Sequence, residues 1–299
     1  MENSVQPKTS IIMPVYNGEK YLAEAVESIL DQTFKEFEFL IINDGSRDGT
    51  ATILSQYRDP RIKVIDNGKN IGLTKSLNKG LEVSRGKYIA RQDADDISNP
   101  YRIEKQVHMF EEDRLLGLVS SFFKIMDDHG RTLRTVTPPK EEEAIRQSIL
   151  NSNPFCHGAA MFRRDAIERL GGYREFFKYA QDYDLWLRIS ERYKVRNVGE
   201  VLYRWRKSKD CISDQKRMEQ SQYAMVAITQ AMKRKKSEKD DIDRGLTPLW
   251  PEIKDLPEGL KEQLLNYHVI NVIDSIKMFR LGEALIESKN YLKTKLMLI

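Results

Sequence analysis

TSIIMPVYNG, residues 9–18, is a short apolar run closed by a polar turn, and it reads as a buried strand ending at Tyr16-Asn17-Gly18. Just after it, Tyr21, Leu22, Ala25, Val26, Ile29 and Leu30 recur at three- and four-residue spacing. That spacing lays one apolar stripe along a helix that ends near Gln32. The next apolar run, FEFLIIN from Phe37 to Asn43, is again a strand and stops at Asp44-Gly45-Ser46. The pattern then repeats, with a helix over 50–57, a strand over 62–65, a helix over 73–84 and a strand over 87–91. Strands and helices alternating at this pitch are βαβ units, so the expected fold class is α/β, a parallel sheet with helices on its faces.

Ligands on open α/β sheets bind beyond the carboxyl ends of the strands. The sequence places Pro14 to Asn17, Asp44, Asn67 to Gly72, and the QDADD carboxylates Asp93, Asp95 and Asp96 at those ends. No GxGxxG follows the first strand and no GxxxxGK[ST] occurs, so neither a dinucleotide fingerprint nor a P-loop is present. A phosphorylated ligand would need its charge met in another way, and QDADD is the candidate. Two carboxylates one residue apart on a turn can face a hard divalent ion, Mn2+ or Mg2+, whose other positions go to water and phosphate. The competing reading is a solvated acidic turn before the helix that starts near Pro100. Position favours the cation, because carboxylates gathered on the rim with Asp44 repel one another without one.

The chain has 299 residues, 40% hydrophobic and 31% charged, enough for one large domain or two fused units. Its 49 basic and 45 acidic side chains are interspersed, and a net charge of +4 is too weak a bias to expect nucleic acid as the ligand. Mean hydropathy is −0.57, and no apolar run approaches the roughly 18–20 residues that cross a bilayer. MENSVQPKTS at the start lacks the apolar core of a secretion signal. Cys156 and Cys211 stand far apart with no CxxC, which argues against a disulfide framework or a zinc site. The expected location is the cytoplasm.

Seven motifs in order carry a resemblance. They are SIIMPVYN (10–17), INDGSRDGT (42–50), NIGLTKSLNKGL (70–81), GKYIARQDADDISNPYRIEKQ (86–106), NPFCHGAAMFRRDAIERLGGYRE (153–175), YAQDYDLWLRIS (179–190) and VLYRWRKSKDCIS (201–213). Together they resemble the family 2 inverting glycosyltransferases of GT-A fold, densely over the first two-fifths and more sparsely to Ser213. The resemblance implies a Rossmann-like, mostly parallel nucleotide-binding sheet with a C-terminal helical extension. Residues 1–98 would form the donor half, 99–213 the acceptor-binding and catalytic half, and 214–299 the extension.

The resemblance also implies roles. Asp44 matches the aspartate that hydrogen-bonds uracil, with the backbone around Pro14, Val15 and Tyr16 cradling the ring; its other reading is an Asx turn before Gly45. Asp93 is expected near the ribose and the metal, and Asp95 as principal metal ligand, with Asp93 available as a second. Arg91 stands one side-chain reach from the diphosphate or pairs with Asp93, while Asn70, Gly72 and Asn78 shape the donor pocket. Asp182 falls at the general base, although Gln181 replaces the glutamate that usually precedes it; its other reading is a helix N-cap. His157, Gly172 and Tyr173 belong to the acceptor side, as turn or packing residues in the plainer reading. Arg206 is grouped with them, at a position where a histidine often adds a metal ligand. An arginine cannot ligate, but it can replace part of that ligand's electrostatic role.

The expected function is transfer of a sugar from a nucleotide donor, UDP-linked, onto a saccharide or lipid-linked oligosaccharide, forming a β-linkage in surface-glycan assembly. The rivals are a nucleotide-sugar-binding scaffold with a degenerate base, suggested by Gln181 and Arg206, and a nucleotidyltransferase, for which a glycine-rich basic loop is missing. After Ser213, residues 215–232 read as helix, 233–241 (KRKKSEKDD) as a charge run and 244–259 as a Pro-rich connection. Leu265, Val269, Val272, Ile273, Ile276 and Phe279 then form an apolar stripe. It suits packing on the domain or a second copy of the chain. Peripheral membrane contact is the alternative, aided by the basic run 233–236 and by Lys289, Lys293 and Lys295.

Overall fold

The computed structural model describes residues 6–207, 216–248 and 288. The chain divides into two compact units, Met1–Ile149 with Asn153–Tyr223, and Leu150–Ser152 with Ala224–Ile299.

The first unit is built on one sheet of nine strands among the described residues. Strands β1 (Thr9–Val15), β2 (Phe37–Asn43), β3 (Ile62–Asp66) and β4 (Tyr88–Arg91) run parallel in the order β3-β2-β1-β4. β2 and β4 are buried throughout, and β1 everywhere but Pro14, which is why they read as continuous apolar runs rather than alternating ones. β3, at the edge, exposes Lys63 and Val64. The crossovers are α1 (Leu22–Leu30), α2 (Thr50–Leu54) and α3 (Leu73–Val83). α1 buries Leu22, Ala25, Val26 and Ile29 of its predicted stripe. α2 is shorter than the expected 50–57. Its end tightens to three-residue hydrogen bonds, Gln56 N–H to the Ile53 carbonyl and Tyr57 N–H to that of Leu54, before the turn at Asp59. α3 lies so close to β1 that a Cβ on Gly80 would stand 2.6 Å from Ile12 Cγ2.

Register levels the strand ends. Val15 lies opposite Asn43 and Asn43 opposite Asp66, so Tyr16, Asp44 and Asn67 leave the sheet along one rim. Arg91 sits opposite Ile12, three residues short of that rim, and the QDADD turn fills the space beyond it.

Past Arg91 the sheet becomes mixed, with β8 reversed between the parallel strands β4 and β6. The later elements are β5 (Ile97–Ser98), α4 (Arg102–Glu112), β6 (Leu116–Met126), β7 (Thr132–Val136), α5 (Glu142–Ser148), β8 (Met161–Arg163), α6 (Arg164–Arg169), α7 (Gln181–Ser190) and β9 (Lys194–Arg206). They extend the sheet from β4 in the order β8-β6-β9-β5, with β7 beside β6. β8 is antiparallel to β4, with Met161 opposite Ala90, so the chain entering β8 arrives at the carboxyl end of β4. That reversal delivers residues 153–160 to the ligand rim.

Helix α8 spans Arg217–Lys235 and so continues into the charge run. In the second unit Lys233 pairs with Asp241 at 2.7 Å and Arg234 with Asp240 at 2.5 Å. Two basic residues of 233–236 are therefore neutralised within the same run, which weakens their pull on an anionic surface. Among the described residues no helix is long and apolar enough to cross a membrane. Cys211, the stripe from Leu265 to Phe279, and Lys289, Lys293 and Lys295 lie outside the described residues.

Candidate active site

The first two rim loops are laced together. Asn17 N–H donates to Ser46 Oγ at 3.0 Å, Arg47 N–H to Asn17 Oδ1 at 2.9 Å, Gly18 N–H to Thr50 Oγ1 at 2.9 Å and Glu19 N–H to Asp48 Oδ2 at 3.0 Å. Beside this brace the Tyr16 ring stays 48% exposed while Val15 is buried. The bend at Gly45 is closed by Asn43, whose Oδ1 accepts from Ser46 N–H at 3.1 Å. Asp44 instead reaches the third loop. Its Oδ1 accepts from Asn67 Nδ2 at 2.8 Å and Ile71 N–H at 2.9 Å, and its Oδ2 from Gly72 N–H at 3.0 Å. A carboxylate has about four lone-pair sites, so Asp44 holds the 67–72 loop and keeps acceptor capacity. Gly45 is required here twice over, by a φ of +70° and because a Cβ would lie 2.4 Å from the Lys69 carbonyl carbon. Asn70 is exposed on that loop.

Arg91, at the end of β4, is fully buried and each of its three side-chain nitrogens bonds protein. Nη1 bonds the carbonyls of Ile12 and Gln92, each at 2.8 Å, Nη2 bonds Asp93 Oδ1 at 2.5 Å, and Nε bonds His157 Nε2 at 3.2 Å. Of the two readings of Arg91, the structure shows the pairing with Asp93. Since Arg91 can only donate, His157 Nε2 accepts from it and is unprotonated, and the Tyr173 hydroxyl lies 3.0 Å from the same nitrogen. Burial and the Arg91 charge hold His157 well below its ordinary pKa, so it is neutral. Gly172, at φ +72°, makes the bend that presents Tyr173. Arg91, His157 and Tyr173 thus form one chain of hydrogen bonds running from Asp93.

On the acidic turn, Asp93 N–H donates to the buried Tyr203 hydroxyl at 3.1 Å, and Arg102 stacks over the Tyr203 ring at 5.5 Å. Gly158 fits between them: a Cβ there would fall 2.1 Å from the Tyr203 oxygen and 2.6 Å from Asp93 Oδ2. The Asp95 carboxylate is bound by no side-chain donor among the described residues. Burial and the charge of Asp93 push it up to about 6, against the opposing pull of Arg206. Arg206 lies beneath this turn rather than with His157 and Tyr173. Its Nε donates to the Asp95 carbonyl at 2.8 Å, its backbone N–H to Asp96 Oδ1 at 2.7 Å and its Nη2 to Glu24 at 2.6 Å, and its guanidinium packs 4.1 Å from the Tyr21 ring centroid. Among the described residues no three His, Cys, Asp or Glu side chains could hold a metal by themselves. Asp93 and Asp95 do fit a hard cation as a pair of oxygen donors that shares its coordination with phosphate.

Asp182 is the second residue of α7 and is not its cap. The N-cap is Ala180, in a left-handed conformation at φ +54° with no side-chain cap bond. Asp182 is partly buried, and Asn153 Nδ2 donates to its Oδ2 at 3.2 Å. Burial raises its pKa, the N–H groups of Tyr183 and Asp182 and the Asn153 amide oppose the rise, and the Asp93 charge adds to it. Asp184, one turn in, is buried between Arg174 and Arg188 and serves packing. The structure therefore brings together Arg91, Asp93, His157, Tyr173 and Asp182. It adds Gly158 and Tyr203, which lie inside quoted motifs but whose partners only the fold reveals.

Residues 10–171 match the model of glycosyl transferase family 2. A Bacillus subtilis protein named for glycosyltransferase activity, EpsE, is 41% identical over 210 residues, 68% of this chain and 74% of its own length. The amylovoran biosynthesis glycosyltransferase AmsE of Erwinia amylovora is 32% identical over 68% of this chain and 78% of its own. Among solved structures, S. aureus TarS 1–349 in complex with UDP-GlcNAc aligns at TM-score 0.59 and 19% identity, covering 96% of this chain and 92% of that one. The mannosyltransferase PcManGT from Pyrobaculum calidifontis, in complex with GDP-Man and Mn2+, aligns at 0.59 and 19%, covering 77% and 65%. The shared fold is GT-A.

Proposed function

The chain belongs to glycosyl transferase family 2 and is a glycosyltransferase, and from that premise we propose that it transfers a sugar with inversion from a UDP-linked donor to a saccharide or lipid-linked oligosaccharide. The role we assign is surface-glycan assembly, supported by the relative AmsE, named for amylovoran biosynthesis; the cytoplasmic face of the membrane is the place we assign to it. One observation carries the mechanism. Asp93, after β4, and Asp182, at the start of α7, come from distant motifs yet are joined through one cluster: Arg91 bonds both Asp93 and His157, and the His157 ring packs 5.9 Å from that of Trp186, one helical turn beyond Asp182.

In this reading residues 1–98 hold the donor and 99–213 hold the acceptor and the base. Backbone around Pro14, Val15 and Tyr16 takes the uracil ring, Asp44 and Asn70 frame it through the 67–72 loop, and Asp93 meets the ribose. Asp95, with Asp93, would hold Mn2+ or Mg2+, and the ion when bound supplies positive charge to the departing diphosphate. Arg91 and Arg206, spent on protein partners, fix the acidic turn. Asp182 takes the proton of the acceptor hydroxyl as that oxygen attacks opposite the leaving group. A nucleoside diphosphate leaves without protonation, so a single carboxylate suffices, unlike the paired acids of glycosidases. His157, Gly172 and Tyr173 bound the acceptor side.

The test is a panel of UDP-, GDP- and dTDP-sugars offered to the purified protein with Mn2+, Mg2+ or chelator, reading binding and nucleotide release together. TarS with UDP-GlcNAc supports the UDP arm and PcManGT with GDP-Man makes the GDP arm a real competitor. Metal-dependent binding of one UDP-sugar, lost in Asp95→Ala, is the expected result. Binding of no sugar nucleotide by folded protein would overturn the proposal.

A further inference from the structure

Asn153 is held independently of the aspartate it touches. Its Oδ1 accepts from Phe155 N–H at 3.2 Å, closing an Asx turn around Pro154. The Pro154 carbonyl is in turn bound by the buried Asn197 Nδ2 at 3.1 Å, which ties the turn to β9. Phe155 packs edge-on to Trp186 with centroids 6.2 Å apart, and Trp186 lies one helical turn beyond Asp182 on α7. The turn is therefore anchored to the sheet and to the base-bearing helix by contacts that do not involve Asp182. What remains of the Asn153 side chain is its Nδ2, and that atom donates to Asp182 Oδ2 at 3.2 Å.

We infer that Asn153 is a positioning residue for the general base, a fixed amide that aims the Asp182 carboxylate and favours its charged form; this rests on Asp182 being the base. The amide oxygen makes the turn and the amide nitrogen makes the catalytic geometry, so the two jobs separate by atom. Among the described residues, a small set of groups acts on Asp182. Asp93 on the acidic turn adds like charge, the Tyr183 and Asp182 backbone N–H groups at the start of α7 donate to it, and the neutral phenols of Tyr173 and Tyr183 feel its charge. Asn153 supplies the side-chain donor in that set. Without it the charged carboxylate loses a hydrogen bond and its proton affinity rises.

The experiment is a carbon-13 NMR titration of aspartate carboxyls in the full chain, with Asp182→Asn to assign the signal, on wild type, Asn153→Ala and Asn153→Asp. Asn153→Asp keeps an oxygen for the Phe155 N–H and so keeps the turn, but puts a carboxylate where the donor was. The Asp182 midpoint is expected to move up in Asn153→Ala and further up in Asn153→Asp, with the acidic limb of donor turnover moving in the same order. Should Asn153→Ala fail to fold, Asn153→Asp carries the test alone. An Asp182 midpoint that stays put in the folded variants, with Asp182→Asn inactive, overturns the role of Asn153 and leaves the base intact. If Asp182→Asn retains turnover, the base assignment itself fails and this inference falls with it.

Discussion

Asn78 and Tyr173 are joined at both ends of one amide: Asn78 Nδ2 donates to the Tyr173 carbonyl at 2.8 Å, and Asn78 Oδ1 accepts the Tyr173 N–H at 3.0 Å. The pair ties α3, in the donor half, to the turn that presents the Tyr173 hydroxyl to His157. Asn78→Ala should cost about 1–3 kcal/mol, because it leaves buried backbone groups unpaired. Turnover should fall while sugar-nucleotide affinity changes little. Thermal unfolding beside a donor titration checks this, and an unchanged melting temperature would contradict it.

Arg91 serves four acceptors at once from a fully buried position. A lysine keeps the charge but lacks the planar fork, so Arg91→Lys releases His157, Asp93 or both. Displacement of a catalytic constellation by an ångström costs on the order of 10²-fold in rate. That loss is expected in nucleotide release under saturating donor, and a variant with near-normal release would show that Asp93 needs no such support.

Gly158 admits no side chain without moving Tyr203 or Asp93. Overpacking of this kind costs about 1–3 kcal/mol. Gly158→Ala should therefore melt lower and bind donor more weakly in the presence of metal. In a chelator, where the acidic turn has less to contribute, the binding difference should shrink. Isothermal titration under both conditions reads the contrast.

Asp182 sits in a site that opposes its charge, since burial raises its pKa above the ordinary value of about 3.9. A carboxyl whose folded pKa is raised destabilises the native state at pH above that value, and the penalty is relieved as pH falls and the folded protein takes up the proton first. Asp182→Asn should thus abolish transfer yet raise the melting temperature at neutral pH, with the gain fading toward acid. In wild type, turnover should drop as pH falls through the raised pKa, because a base must be ionised to accept a proton. Melting curves from pH 4 to 8 on both proteins decide the stability claim.

Strands β1, β2 and β4 are legible in the sequence because burial on both faces writes them as unbroken apolar runs. β8 is not, since three residues leave no pattern, and β6 mixes buried ends with half-buried Phe122 to Lys124. The acidic turn, Asp44 and Asp182 are readable as motifs because their chemistry is local. Their partners are not, because Tyr203 meets Asp93 across 110 residues and Asn78 meets Tyr173 across 95. Arg206 shows the limit well. Its residue type says that it cannot ligate a metal, and only the fold shows it bracing the Asp95 carbonyl from below.

The antiparallel entry of β8 also sets an order of events during synthesis. Met161 of β8 leaves the ribosome 71 residues after its partner Ala90 (161 − 90), which at 5–20 residues per second is an interval of roughly 4–14 s. Throughout it the nascent donor half carries β4 as a bare strand edge that only β8 will cover. The growing chain is therefore exposed to mispairing at β4 until β8 arrives, and residues 153–160, which bring His157 to Arg91, are made immediately before the strand that ends that exposure.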